Sequence, residues 1–228
     1  MRIVIAGGHG KIARRLTRLL ADRGDEVVGI VRQSAHVPDV EADGASAVLL
    51  DLESASVPDV AAVLTRADAA VFAAGAGPGS GMARKHTVDH EAAVLLADAA
   101  EQAHVARLVQ ISSMGTDMVA GGAVPSGVDE VFVTYLQAKA AAEEDLRRRD
   151  DLAWTILRPG GLTDEAGTGL VALAASVDRG SVPRDDVAAV VAALLADRRT
   201  AGLTLEVTSG DTPVEQAVAA LATPTQEA

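Results

Sequence analysis

A chain of 228 residues with 32 acids against 20 bases, a formal net charge of −12, argues against nucleic acid or an anionic membrane as partner, since both reward a basic face. Apolar residues make up 49% of it but aromatics 2%, so its core is expected from Val, Leu, Ile and Ala, as in buried parallel strands under helices. The absence of cysteine excludes disulfides, thiolate nucleophiles and thiolate metal sites.

The first strand is expected at Ile3–Ala6, so early that no room is left for a signal peptide. It runs into Gly7, Gly10 and Ala13, spaced G-x-x-G-x-x-A, and then into a helical stripe of Ile12, Leu16, Leu19 and Leu20. Further strands are expected at Glu26–Val31, Ala47–Leu50, Ala69–Ala73, Arg107–Ile111, Trp154–Leu157 and Leu203–Val207. A second helical stripe is Val187, Val190, Val191, Leu194 and Leu195; its apolar run is far shorter than a bilayer requires. Thr212-Pro213 opens a last helix with Val214, Val218 and Leu221 on its buried side, and the tail after Leu221 is expected to be loose. This alternation predicts an α/β fold: a doubly wound parallel (Rossmann) sheet of about seven strands, right-handed crossovers and helices on both faces. Residues 1–228 are expected to form one domain. The irregular stretches 114–129 and 160–186 follow strand ends, where such sheets place their crevice, and are expected to shape a small substrate pocket.

A glycine turn between the first strand and an amphipathic helix is where backbone N–H groups approach a dinucleotide pyrophosphate. Gly7, His9, Gly10, Lys11 and Ile12 form it, and Lys11 and His9 would add positive potential near the phosphates. The second strand usually ends in an acid that grips the ribose diol. Here it ends in Arg32, and no acid follows until Asp39. A guanidinium pairs with a 2′-phosphate that a carboxylate would repel, so NADP(H) is expected over NAD(H).

Together "AGGHGKIA", "LLDL", "VFAAGAG", "VQISSMG", "TYLQAKAAAEEDL" and "WTILRPGGLT" resemble the short-chain dehydrogenase/reductase superfamily. The likeness is to its small atypical branch of NAD(P)-dependent epimerases and dehydratases, and it covers nearly the whole chain. The resemblance implies that Asp51 and Leu52 meet the adenine, that Ala73, Ala74 and Gly75 line the ribose, and that Pro159 and Gly160 pack by the nicotinamide. It implies a hydroxyl after the fifth strand, for which Ser113 is the choice over its neighbour Ser112, although many extended relatives carry it where this chain has Met114. It implies Asp89 in place of the usual Asn, holding a water or helix backbone in a proton relay.

Tyr135 and Lys139, one helical turn apart on one face, form the chemical pair. A phenol with a pKa of about 10 is a poor acid–base group at neutral pH, and a neighbouring ammonium favours its ionised form. His86 and His90 have the spacing of a zinc pair, but Thr87 stands where the helical motif needs Glu, so no metal is expected. "EED" at Glu143–Asp145 and "RRR" at Arg147–Arg149 read as a solvated helix face. The expected protein is a cytoplasmic monomer or homodimer with a small-molecule substrate, no nucleic acid and no membrane. Its expected activity is NADP(H)-dependent reduction or oxidation of a small carbonyl, quinone-like or flavin-like compound, with Ser113 polarising the substrate oxygen. The alternatives are a nucleotide-sugar epimerase or dehydratase and a non-catalytic NADP(H) sensor.

Overall fold

Short runs of branched apolar residues alternate with helical stretches, and the computed structural model, which describes residues 1–77 and 79–221, turns that alternation into layers. The tail after Leu221 lies outside the described residues. In chain order the first half comprises β1 (Arg2–Ala6), α1 (Lys11–Asp22), β2 (Glu26–Val31), α2 (Val37–Ala42), β3 (Ser46–Leu49), α3 (Val57–Leu64) and β4 (Ala69–Phe72). A short α4 (Met82–Arg84) continues through a π-helical turn, Lys85–Glu91, into α5 (Ala92–Gln102). Then come β5 (Arg107–Ile111), α6 (Glu130–Arg147), β6 (Ala153–Pro159), β7 (Gly161–Thr163), β8 (Leu170–Ala174) and β9 (Ser181–Pro183). The chain closes with α7 (Arg184–Ala196), β10 (Leu203–Ser209), β11 (Thr212–Pro213) and α8 (Val214–Leu221).

The main sheet has nine strands in the order β11-β8-β10-β6-β5-β4-β1-β2-β3. The seven from β10 to β3 are parallel and are the seven expected from sequence; β8 and β11 add an antiparallel edge. The stretch 160–186 is therefore less irregular than expected, since it also supplies the small parallel pair of β7 and β9. Strand order reverses at β1, which lies between β2 and β4, and the crevice opens beyond the carboxyl ends of these strands.

The side chains of β1 alternate between two cores. Ile3 and Ile5 join Leu16 and Leu20 of α1 and Val187, Val190, Val191 and Leu194 of α7. Val4 and Ala6 join Phe72, Leu96, Leu108, Leu146 and Ile156 under α5 and α6. Leu19, expected in the α1 stripe, is 42% exposed, because Ala13 and Thr17 complete the buried face instead. Arg107, buried at the start of β5, donates to the carbonyls of Ala153 and Leu194 and the hydroxyls of Thr155 and Thr200. It thus bolts β6 to the end of α7, and burial pushes its pKa down to about 10. Among the described residues no helix is long and apolar enough to cross a membrane.

Candidate functional site

The glycine turn is shaped by what surrounds it. Gly7 has φ +81°, and a Cβ there would come within 2.6 Å of the Ala74 Cα. Gly8, outside the G-x-x-G-x-x-A spacing, is constrained by sterics alone, since its Cβ would stand 2.8 Å from the Cα of Gly29 in β2. The Gly10 N–H donates to the Gly7 carbonyl and the Gly8 N–H to that of Ile30, so the turn is closed before α1 begins. Helix α1 has no side-chain cap and no acid in its first turn, which leaves its first N–H groups free for an anion. A dinucleotide pyrophosphate fits such a cradle, because side chains are excluded where the ligand must approach.

On the β2 side, a cavity of about 300 Å³ is walled by Gly7, His9, Gly10, Arg32, Asp51, Leu52 and Ala73–Gly75, so nine residues anticipated from sequence are brought together. Glu53, Arg84 and His36 join them without having been anticipated. Glu53 accepts from Arg84 at 2.6 Å and from Thr87 at 2.7 Å, and Arg32 stands 3.8 Å away. The hydrogen bond from Arg84 is the main cause holding the Glu53 carboxyl below its ordinary pKa. The rings of His9 and His36 stack with centroids 3.7 Å apart, and His9 Nε2 pairs with Asp39 at 2.8 Å. Burial, then the neighbouring His9 and Arg32, lowers the pKa of His36. Lys11, expected beside the phosphates, reaches instead to Asp164 beyond β7, which Arg184 also contacts at 3.0 Å.

A second cavity, about 650 Å³, shares Gly10 and Ala73–Gly75 with the first, so the two form one crevice across the switch point. Lys11, Ile12, Asp89, Ser112, Tyr135 and Lys139 are in its wall. Lys139 is buried, donates to the Ile111 carbonyl at 3.1 Å and stands 3.3 Å from Asp89 Oδ1 and 6.0 Å from the centre of the Tyr135 ring. The Asp89–Lys139 contact is ionic without an aligned hydrogen bond, and the other oxygen of Asp89 accepts from the Ala76 N–H. Asp89 therefore touches Lys139 directly and also holds the Ala76 backbone N–H.

Other anticipated residues are not gathered here. The Ser113 hydroxyl donates to the Met114 carbonyl, outside the cavity wall. Ser112 is in the wall, but its hydroxyl donates to Glu143. Pro159 and Gly160 stand apart from both cavities: Pro159 accepts from the Met114 N–H, and Gly160 packs so closely on Gly180 that a Cβ would meet its carbonyl at 2.3 Å.

Two features escaped the sequence. Glu143, read as part of a solvated face, is fully buried; it accepts from Ser112 and Thr116 and from both Arg158 and Arg147, at 2.6 and 2.8 Å. Burial works against the Arg158 guanidinium, but bonds to Glu143 and Asp117 more than offset it and raise its pKa. Arg149 is likewise only 11% exposed, tied to Asp98, Glu101 and Asp145. The second feature is Lys85, on the π turn, whose ammonium is 5.1 Å from the centre of the Tyr135 ring. Its i, i+4 spacing to Asp89, which sets the two side chains in the same wall, is the signal that could have found it.

A glycine cradle at the switch point of a parallel sheet, with a Tyr–Lys pair beyond it, defines a dinucleotide-binding α/β protein. Residues 7–198 match the family described as NAD(P)H-binding, and the chain belongs to that family. It is 34% identical over 219 residues to a Bacillus subtilis protein named "Uncharacterized sugar epimerase YhfK", covering 96% of this chain and 99% of that one. Among solved structures it is similar to a Bacillus halodurans protein named "Putative NAD-dependent epimerase/dehydratase", with TM-score 0.87, 34% identity and coverage of 96% and 99%. It is also similar to the oxidoreductase ylbE of Lactococcus lactis, with TM-score 0.83, 27% identity and coverage of 97% and 96%. The chain is thus an NAD(P)-binding protein with an oxidoreductase- or epimerase-like fold.

Proposed function

We propose that the chain is an NADP(H)-dependent oxidoreductase of a small carbonyl, quinone-like or flavin-like compound, working as one nucleotide-binding domain. The observation that carries this reading is Tyr135 in the wall of a cavity continuous with the glycine cradle, its ring 6.0 Å from the Lys139 ammonium. Gly7, Gly8 and Gly10 would hold the pyrophosphate, Asp51 and Leu52 the adenine, and Arg32 a 2′-phosphate. The nicotinamide, when bound, supplies or accepts the hydride. Tyr135 gives a proton to the substrate oxygen during reduction and takes it back during oxidation. Lys139 stabilises the phenolate electrostatically, and Asp89 with the Ile111 carbonyl keeps its ammonium in place. The role read for Ser113 requires its hydroxyl to leave the Met114 carbonyl.

The names of the Bacillus relatives favour a second reading, epimerase or dehydratase chemistry, in which the hydride is returned and no cofactor is consumed. One assay separates the two: NADPH absorbance is followed against a panel of carbonyls, quinones and flavins. Net oxidation is expected, with Tyr135→Phe slower by about 10²-fold or more. Turnover unchanged in Tyr135→Phe sinks the proposed mechanism, and substrate conversion without net NADPH loss supports the epimerase reading.

A further inference from the structure

Every cation but one in the wall of the larger cavity has a carboxylate. Lys11 and Arg184 share Asp164, and Lys139 has Asp89. The remaining acid of that wall, Asp129, is spent on capping α6 through the Phe132 N–H at 2.9 Å. Lys85 is 8% exposed, and its ammonium donates to the Gly77 carbonyl at 2.9 Å. Among the described residues no carboxylate lies within 4.0 Å of it. Lysines are almost never buried without a partner, because desolvating the charge is costly. It sits inside a protein of net charge −12, in which 32 acids outnumber 20 bases. A second, independent feature accompanies it: Val131, Phe132 and Leu162, all large apolar side chains at least 39% exposed, stand in the wall of the same cavity.

We propose that Lys85 binds a carboxylate of the substrate, and that the substrate is therefore a hydrophobic acid. The apolar body would cover Val131, Phe132 and Leu162, and the carboxylate would supply the counter-ion that Lys85 lacks. Since the Lys85 ammonium is 5.1 Å from the centre of the Tyr135 ring, the carboxylate lies only a few bonds from the oxygen that Tyr135 protonates. This assignment deepens the oxidoreductase reading and rests on it for the identity of the reacting group.

The test is calorimetric, with benzoate and its neutral analogue benzamide as probes, after titration of the protein with NADP⁺. Benzoate is expected to bind the wild type more tightly than benzamide by about tenfold or more, the worth of one charge-assisted hydrogen bond. Lys85→Met is expected to lose that margin for benzoate and leave benzamide unaffected, while Lys85→Arg keeps much of it. Lys85→Met is also expected to melt no lower than wild type, because it removes a buried charge that no carboxylate pairs; Lys85→Gln replaces it if Lys85→Met does not fold. Benzoate binding no more tightly than benzamide, or equally well to Lys85→Met or Lys85→Gln as to wild type, overturns the proposal. Failure of NADP⁺ to bind defeats the cofactor reading instead, and the benzoate–benzamide difference, measured on the protein alone, still decides the role of Lys85.

Discussion

The two ends of the crevice hold their charges in opposite ways. At the β2 end they are open to water: the side chains of Arg32 and Asp39 are 45% and 52% exposed, and their partners are shared. Beside α6 the side chains of Lys139 and Asp89 are 4% and 0% exposed, and those of Arg158 and Glu143, behind Ser112 of that wall, are 6% and 0%, although Lys11 at the mouth of the same cavity is 65% exposed. Exposed pairs are worth little and can be rearranged by a ligand, whereas a buried network is tolerable only when complete. One end is therefore shaped by backbone and tuned by adjustable charges; the other is a fixed frame in which each missing partner is expensive. Such a frame suits proton transfer, where small displacements matter.

Removing Glu143 is the most direct way to break this contrast. Glu143→Ala leaves Arg158 with Asp117 alone, an acid whose side chain is 75% exposed, and deprives the Ser112 and Thr116 hydroxyls of their acceptor. The expected loss is about 3–5 kcal/mol in urea unfolding, with part recovered in Glu143→Gln. A loss below about 1 kcal/mol, the range of exposed pairs, would put both ends in the same class.

The β2 end should yield first to a change of backbone. Gly7→Ala must place a methyl 2.6 Å from the Ala74 Cα at φ +81°, so strain and overpacking are expected to cost about 1–3 kcal/mol. Because the displaced backbone is the cradle itself, NADPH binding by calorimetry is expected to fall with the melting temperature. Unimpaired binding would mean that the turn does not contact the cofactor.

These contrasts explain what could be read before the structure. The central parallel strands β1, β2 and β4 were legible because burial on both faces makes them dense apolar runs, while β3, at the edge with no buried residue, showed only as a short apolar run between helices. The antiparallel strands at Leu170–Ala174 and Thr212–Pro213 were not, because they pair at an edge beside glycines and prolines that read as turns. Gly7 and Gly10 follow a local spacing, but the need for Gly8 comes from Gly29 across the sheet. Tyr135 and Lys139 share an α-helical face, and that period shows in one turn of sequence. Lys85 has the same i, i+4 spacing to Asp89 but belongs to no motif, whereas Glu143 was hidden because its role is fixed by Arg158, fifteen residues away on another element. The surface stripe misled at Leu19 for the converse reason: a helix can continue its apolar pattern past the width that the sheet covers.

The smallest effect expected is the one that decides the cofactor. Arg32 is 3.8 Å from Glu53, and Glu53 already has Arg84 at 2.6 Å, so a 2′-phosphate could recruit Arg32 without breaking the stronger pair. An exposed guanidinium on a phosphate is expected at the lower end of charge-assisted bonds, about 1.5 kcal/mol or roughly tenfold in affinity. Arg32→Ala should therefore weaken NADPH by roughly that factor, leave NADH unchanged, and flatten the salt dependence of NADPH binding, since the lost contact is a screened one. Equal losses for both cofactors would assign Arg32 to the adenine or ribose that they share. No loss for either would leave the β2 end bound by backbone alone, and its charges would then serve the fold and not the nucleotide.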